Sequence, residues 1–148
     1  MATVEILVFE VGDGVFGVDI ANVIEITTAT EVTPVPASPD VVDGVCSSRG
    51  TIITVIDLFK VLHKEHEQTE HSMFVTCNYA GVTAAFRTGT VRGIQRTEED
   101  SVIPPPAMLN GESSSDSLLK GVVPTETENI LMLDLARVLD RLGLTDTN

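Results

Sequence analysis

The sequence predicts a mainly β protein built from two copies of one β-rich unit. Three observations carry this. Apolar residues come in short runs with the two-residue period of strands, separated by Gly- and Asn-containing turns. Two hairpin patterns, Val8 to Gly17 and Val75 to Ala84, correspond to each other. Gly44 to Asp57 and Gly121 to Asp134 have identical spacing, and each Asp-Leu is followed by Val-Leu at the same offset, Val61-Leu62 and Val138-Leu139. The expected organisation is a first unit over about 4–62, a linker over 63–72, a second unit over about 73–134 and a C-terminal helix over 135–142, with strands able to exchange between units.

The elements follow in order. Val4, Ile6 and Val8 share one face of a strand and Leu7, Phe9 and Val11 the other, so both faces are apolar and the strand is central. Gly12-Asp13-Gly14 turns the chain, and Val15 to Val18 returns. Asp19 caps a short helix with Ile20, Val23 and Ile24 at helical spacing, which gives way to the β-branched Ile24-Glu25-Ile26-Thr27-Thr28. Pro34, Pro36 and Pro39 mark an extended connection, and one helical turn runs from Pro39 to Asp43.

Val45 to Ser48 and Thr51 to Ile56 are strands around Arg49-Gly50, a charge set between two apolar runs. Asp57 caps a short helix whose buried side is Leu58, Val61 and Leu62. His63 to Ser72 is a solvated linker. It holds all three histidines, His63, His66 and His71, in a spacing that fits no metal motif. Met73 to Cys77 and Val82 to Phe86 form a hairpin, Thr90 to Thr97 a short basic strand, and Glu98-Glu99-Asp100 a solvated bend. Pro104-Pro105-Pro106 is an extended connector and Asn110 to Ser117 a polar loop. Gly121-Val122, the turn Thr125 to Asn129 and Ile130 to Leu133 repeat the middle of the chain, and a helix runs from Leu135 to Leu142.

Composition narrows the function. With 43% hydrophobic and 21% charged residues the chain is globular. Against 22 acids stand nine bases, a net charge of −13, which repels nucleic acid and anionic membranes. Only Lys60, Lys64 and Lys120 are lysines, and few lysines among many acids fits a protein of concentrated salt as well as an ordinary acidic one. Apolar runs are far short of the roughly twenty residues that span a bilayer, and Glu5 and Glu10 spoil the N-terminus as a signal peptide. Two cysteines, Cys46 and Cys77, make no disulfide framework, and a cytoplasmic location is the simplest expectation. Catalytic motifs are absent: no GxSxG, P-loop, HExxH or glycine-rich dinucleotide loop. Cys46 lies on an apolar strand with no base assigned to it. The pattern favours a binding module without cofactor or metal over an enzyme.

The runs VFEVGDGVFGVDIANVIEI and VTPVPASPDVVDGVCSSRGTIITVIDL resemble the CheW-like family of chemotaxis coupling proteins. Phe16-Gly17, Val23-Ile24-Glu25-Ile26, Pro36, Pro39, Gly44-Val45, Arg49-Gly50 and Ile56-Asp57-Leu58 carry the match over residues 6 to 62, and it stays collinear to about 142. The resemblance implies two SH3-like five-stranded β-barrels sharing a core, and an adaptor that couples a chemoreceptor's cytoplasmic tip to the regulatory domain of a CheA-type histidine kinase.

Carried over, it points to Val23, Glu25, Ile26 and Arg49, with Gly50 of the same turn, as receptor-binding residues in a groove between the barrels. It assigns the kinase-facing surface to the first barrel and leaves its residues unknown. Val23 and Ile26 fit core or interface equally, and Glu25 can pair with Arg49. The family's Asn-Leu before Arg-Gly is Ser47-Ser48 here, its return-strand proline is Thr54, and Thr88-Gly89-Thr90 replaces a frequent Asp-x-Val. A regulatory module of another two-component system, CheV-like or of a pilus array, and a ligand-binding barrel are the alternatives.

Overall fold

In the computed structural model, residues 2–66, 71–104 and 118–143 are described. Their strands are β1 (Thr3–Val11), β2 (Gly14–Asp19), β3 (Val23–Thr28), β4 (Val42–Ser48), β5 (Thr51–Asp57), β6 (Met73–Tyr79), β7 (Val82–Thr88), β8 (Val91–Glu98), β9 (Leu119–Pro124) and β10 (Asn129–Leu133). Helix α1 (Leu58–Val61) follows β5, and α2 (Leu135–Arg141) follows β10.

The strands form two five-stranded sheets, in the orders β8-β1-β2-β10-β9 and β3-β6-β7-β5-β4. Each sheet therefore mixes strands from both halves of the chain. The first hairpin joins the end of the sequence through the parallel pair β2–β10, and the second hairpin joins the middle through β5–β7. A cut at the 63–72 linker would split both sheets and would not separate one from the other. Each sheet also closes on itself. Past β3, Thr33 exchanges hydrogen bonds of 2.8 and 2.9 Å with Val45 of β4; past β8, Ile103 exchanges 2.8 and 2.7 Å bonds with Val122 of β9. Each bridge ties one edge of a sheet to the other, which makes two small barrels of the SH3-like kind.

The repeated Gly-Val takes its meaning from these bridges. A side chain on Gly44 would collide with the Thr33 carbonyl, and one on Gly121 with Val102 and the Ile103 carbonyl. Gly44 also sits at φ +146°. The repeated Asp-Leu is a cap: Asp57 accepts from the Phe59 N–H at 2.9 Å and Asp134 from the Arg137 N–H at 3.3 Å.

Among the described residues three apolar clusters form the interior. Ile6, Val8, Val123, Ile130 and Met132 pack inside one barrel. Cys46, Ile53, Val55, Phe74 and Ala85 pack inside the other. The largest cluster, including Leu7, Phe9, Phe16, Phe59, Val75, Phe86 and Leu139, lies between them. Strand β1 feeds one barrel interior with Ile6 and Val8 and the shared core with Leu7, Phe9 and Val11, as its two apolar faces require.

Several local expectations are corrected. The hairpins correspond one residue away from the alignment of Val8 with Val75: the pair Val8↔Gly17 matches Thr76↔Ala85. A one-residue slip exchanges the faces, and Val75 belongs to the shared core while Val8 does not. The helix at Ile20 is a single 3-10 turn, Ile20–Asn22, because β-branched Val23 and Ile24 enter β3 instead. Pro39 to Asp43 makes one hydrogen-bonded turn, Val42 N–H to Pro39 carbonyl at 2.9 Å, before Val42 opens β4.

In α1 the buried residues are Leu58 and Phe59, while Val61 and Leu62 are half-buried; one turn of helix leaves the N-terminal residues facing the core. His66 is no bystander in the linker: its ring stacks on Phe59 at 3.7 Å and its Nε2 lies 3.2 Å from Asp57 Oδ2. Glu99–Ser101 forms a 3-10 turn with exposed residues. Pro105, Pro106 and the loop Asn110 to Ser117 lie outside the described residues.

Candidate functional site

The site grows from the β4–β5 hairpin. Ser48 pairs with Thr51, which leaves Arg49-Gly50 as a two-residue loop at φ +50° and +81°, the signature of a type I′ turn. Arginine at a positive φ costs about 1 kcal/mol. Ala80-Gly81 closes the β6–β7 hairpin with the same signature, so the conformation belongs to the turn. It projects Arg49 into solvent, with 82% of its side chain exposed.

A bulge in β3 brings the second member. Val23 lies opposite Cys77 and Glu25 opposite Thr76, so Ile24 is left unpaired and exposed. Glu25 thereby shares the barrel-interior face with Thr76, at the mouth of the barrel. Its carboxylate is held from two sides: Arg49 Nη2 lies 3.3 Å from Oε1, and the Ser48 hydroxyl donates to Oε2 at 2.9 Å. The exposed pair itself is worth about 0–1 kcal/mol. The mouth is a depression of ≈ 210 Å³ lined by Ile24, Glu25, Ser48, Arg49, Thr51, Ile53, Thr76 and Thr83.

Of the residues expected from the resemblance, Glu25, Arg49 and Gly50 come together here. Val23 and Ile26 lie on the opposite face of β3, with Cys77 and Val75 of the shared core. Val23 is half-buried against that core, and Ile26 is exposed at the sheet edge. Sequence reasoning missed Ser48 and Thr76. Ser48 did carry a signal, since it stands where the family pattern has leucine. Thr76 carried none, because its place depends on the β3 bulge.

The other barrel has an equivalent mouth. Glu126-Thr127 occupies the turn position that Arg49-Gly50 holds, between Thr125 and Glu128, whose backbones are bonded at 2.8 Å. The repeat thus has Glu126-Thr127 as the counterpart to Arg49-Gly50, with the charge reversed. A depression of ≈ 190 Å³ lies there, between Gly93, Ile94 and Gln95 of β8 and Thr125, Thr127 and Glu128. Arg92 in its wall binds Glu10 at 2.8 Å and also Glu128.

Among the described residues Arg87 of β7 and Arg92 and Arg96 of β8 form no basic face. Arg87 donates to Asp43 at 2.6 Å and lies 5.1 Å over the Phe74 ring, and Arg96 sits 3.8 Å from Glu5. Burial pushes the Cys77 thiol up to about 12 and raises Cys46 as well, so neither is a thiolate at neutral pH. Among the described residues no group of three or more His, Cys, Asp or Glu side chains converges as metal ligands, and no helix is long and apolar enough to cross a membrane.

Comparison with known proteins places this geometry. The model of the CheW-like domain matches residues 5–143. Protein FrzA of Myxococcus xanthus is 33% identical over 91% of this chain and 84% of its own length. Chemotaxis protein CheW of Thermotoga maritima is 26% identical over 96% of this chain and 91% of its own. The crystal structure of the scaffolding protein TtCheW from Thermoanaerobacter tengcongensis superposes with a TM-score of 0.79 at 26% identity, covering 91% of this chain and 86% of that one. A family match along nearly the whole chain, on the same architecture, means that the chain belongs to the CheW-like domain family.

Proposed function

We propose that this protein is a chemotaxis adaptor that works by binding alone, without catalysis. It couples a chemoreceptor's cytoplasmic tip to the regulatory domain of a CheA-type histidine kinase, in the cytoplasm beside membrane-bound receptor arrays. The observation that carries this reading is the family match over residues 5–143 together with relatives named as chemotaxis and scaffolding proteins. Those names favour chemotaxis over a ligand-binding barrel.

The surfaces suit such a role. Arg49 presents a planar set of donors to a partner's acceptors, and Glu25, held by Ser48, steers it. Ile26 and the half-buried Val23 offer apolar surface beside the shared core. The net charge of −13, with Arg87, Arg92 and Arg96 each paired to a carboxylate, disfavours nucleic acid as a partner. Co-sedimentation tests the reading: kinase should pellet with receptor-bearing membranes only when the chain is added. Kinase that pellets equally well without it contradicts the adaptor role.

A further inference from the structure

The mouth at Arg49 contains one group that the Glu25–Arg49 contact leaves unused. Thr76 is 5% exposed, lines the depression, and its hydroxyl has no hydrogen-bond partner among the described residues. A buried hydroxyl left unbonded is unfavourable, so a polar group entering this mouth meets a donor and acceptor already stripped of solvent. The other hydroxyls differ. Ser48 is committed to Glu25 and Thr83 accepts from Asn78 Nδ2 at 2.7 Å. Thr51 and Ile24 form the outer rim and Ile53 the apolar floor.

The charges decide what fits. Arg49 offers N–H donors, Glu25 offers acceptor lone pairs, and Thr76 can do either. A carboxylate would be drawn to Arg49 but repelled by Glu25 a few ångströms away and by a chain of net charge −13. An ammonium would be drawn to Glu25 and repelled by Arg49. A carboxamide satisfies both: its carbonyl accepts from Arg49 and its NH₂ donates to Glu25 and the Thr76 hydroxyl, with no net charge brought in. The volume of ≈ 210 Å³ holds one such side-chain tip.

We propose that the mouth of the β3-β6-β7-β5-β4 barrel binds the carboxamide tip of a Gln or Asn side chain on a protein partner, with Thr76 as a binding residue. This rests on the reading of Arg49 and Glu25 as a partner-facing site and adds the chemistry of what enters it.

The test is an NMR titration of the intact protein with propionamide, and with the isosteric propionate as the charged control. Propionamide should shift the Ser48, Thr51 and Thr76 amides saturably, with a dissociation constant of about 10–50 mM for so small a probe. Propionate should bind about tenfold more weakly. Thr76→Val should keep the wild-type melting temperature, because it removes an unpaired hydroxyl, yet lose about tenfold in propionamide affinity; Thr76→Ser should restore it.

Propionate binding as well as propionamide overturns the carboxamide assignment, as does the absence of saturable shifts. A Thr76→Val protein that melts lower but binds normally assigns the hydroxyl to folding and overturns its binding role. Kinase co-sedimentation is a separate measurement. Capture of kinase without propionamide binding removes only the pocket, and propionamide binding without capture removes only the adaptor reading.

Discussion

At the scale of single residues, the side chains that look incidental in the sequence are the ones the structure ties down. His66 stacks on Phe59, which is completely buried, and reaches Asp57, whose carboxylate is 4% exposed. It latches the end of the first repeat onto the shared core. His66→Ala should lower stability by about 1–2 kcal/mol, since an aromatic stack and a hydrogen bond to a buried carboxylate go together. Urea unfolding measures this, and an unchanged midpoint would make the stack ornamental. Ser48 and Thr76 show why residue roles were only partly legible. Arg49 announces itself as a charge between apolar runs, and Glu25 follows from the family pattern. The hydroxyls around them become a site only when β3 bulges at Ile24 and turns Glu25 toward the barrel interior. A bulge is a single extra residue in a strand, and the β-branched run Ile24 to Thr28 gives no local sign of where it falls.

At the scale of elements, hairpins and caps were readable because their causes are local. Alternating apolar residues mark strands, and an Asp before Leu marks a helix start. Strand partners were not readable in the same way. The parallel pairs β2–β10 and β5–β7 join segments far apart in sequence, and nothing in either segment names the other. The repeated glycines carry the one local trace of closure. Gly44 must lack a side chain because the Thr33–Val45 bridge crosses directly over it, at a φ that favours glycine. Gly44→Ala should therefore cost about 2–4 kcal/mol, from backbone strain and collision combined. Gly50→Ala tests the difference between the two causes. Open space surrounds Gly50, so only the strain of φ +81° remains and the loss should be smaller. Equal losses would remove the crossing as the reason for Gly44.

At the scale of the whole molecule, two interleaved halves share one core, and the acid excess acts on all of it. Among the described residues Arg49, Lys60, Lys64, Arg87, Arg92, Arg96 and Arg137 each lie within 4 Å of a carboxylate, and with 22 acids against nine bases the charge of −13 is an excess that the chain's own cations leave unbalanced. Screening shortens the reach of that repulsion to about 3 Å in molar salt, while surface pairs worth about 0–1 kcal/mol each lose less. The melting temperature should rise from low salt into molar sodium chloride, and a flat or falling curve would remove salt as a stabiliser. The same architecture sets the Arg49 turn at a barrel mouth, apart from the core, so that turn can change without unfolding the molecule. The most direct measurement is therefore the autophosphorylation rate of a CheA-type kinase on receptor-bearing membranes, with this protein, without it, and with its Arg49→Glu variant at equal melting temperature. The adaptor role predicts receptor-dependent activation with the wild-type chain and loss of it with Arg49→Glu; full activation by the variant, or activation without the protein, contradicts it.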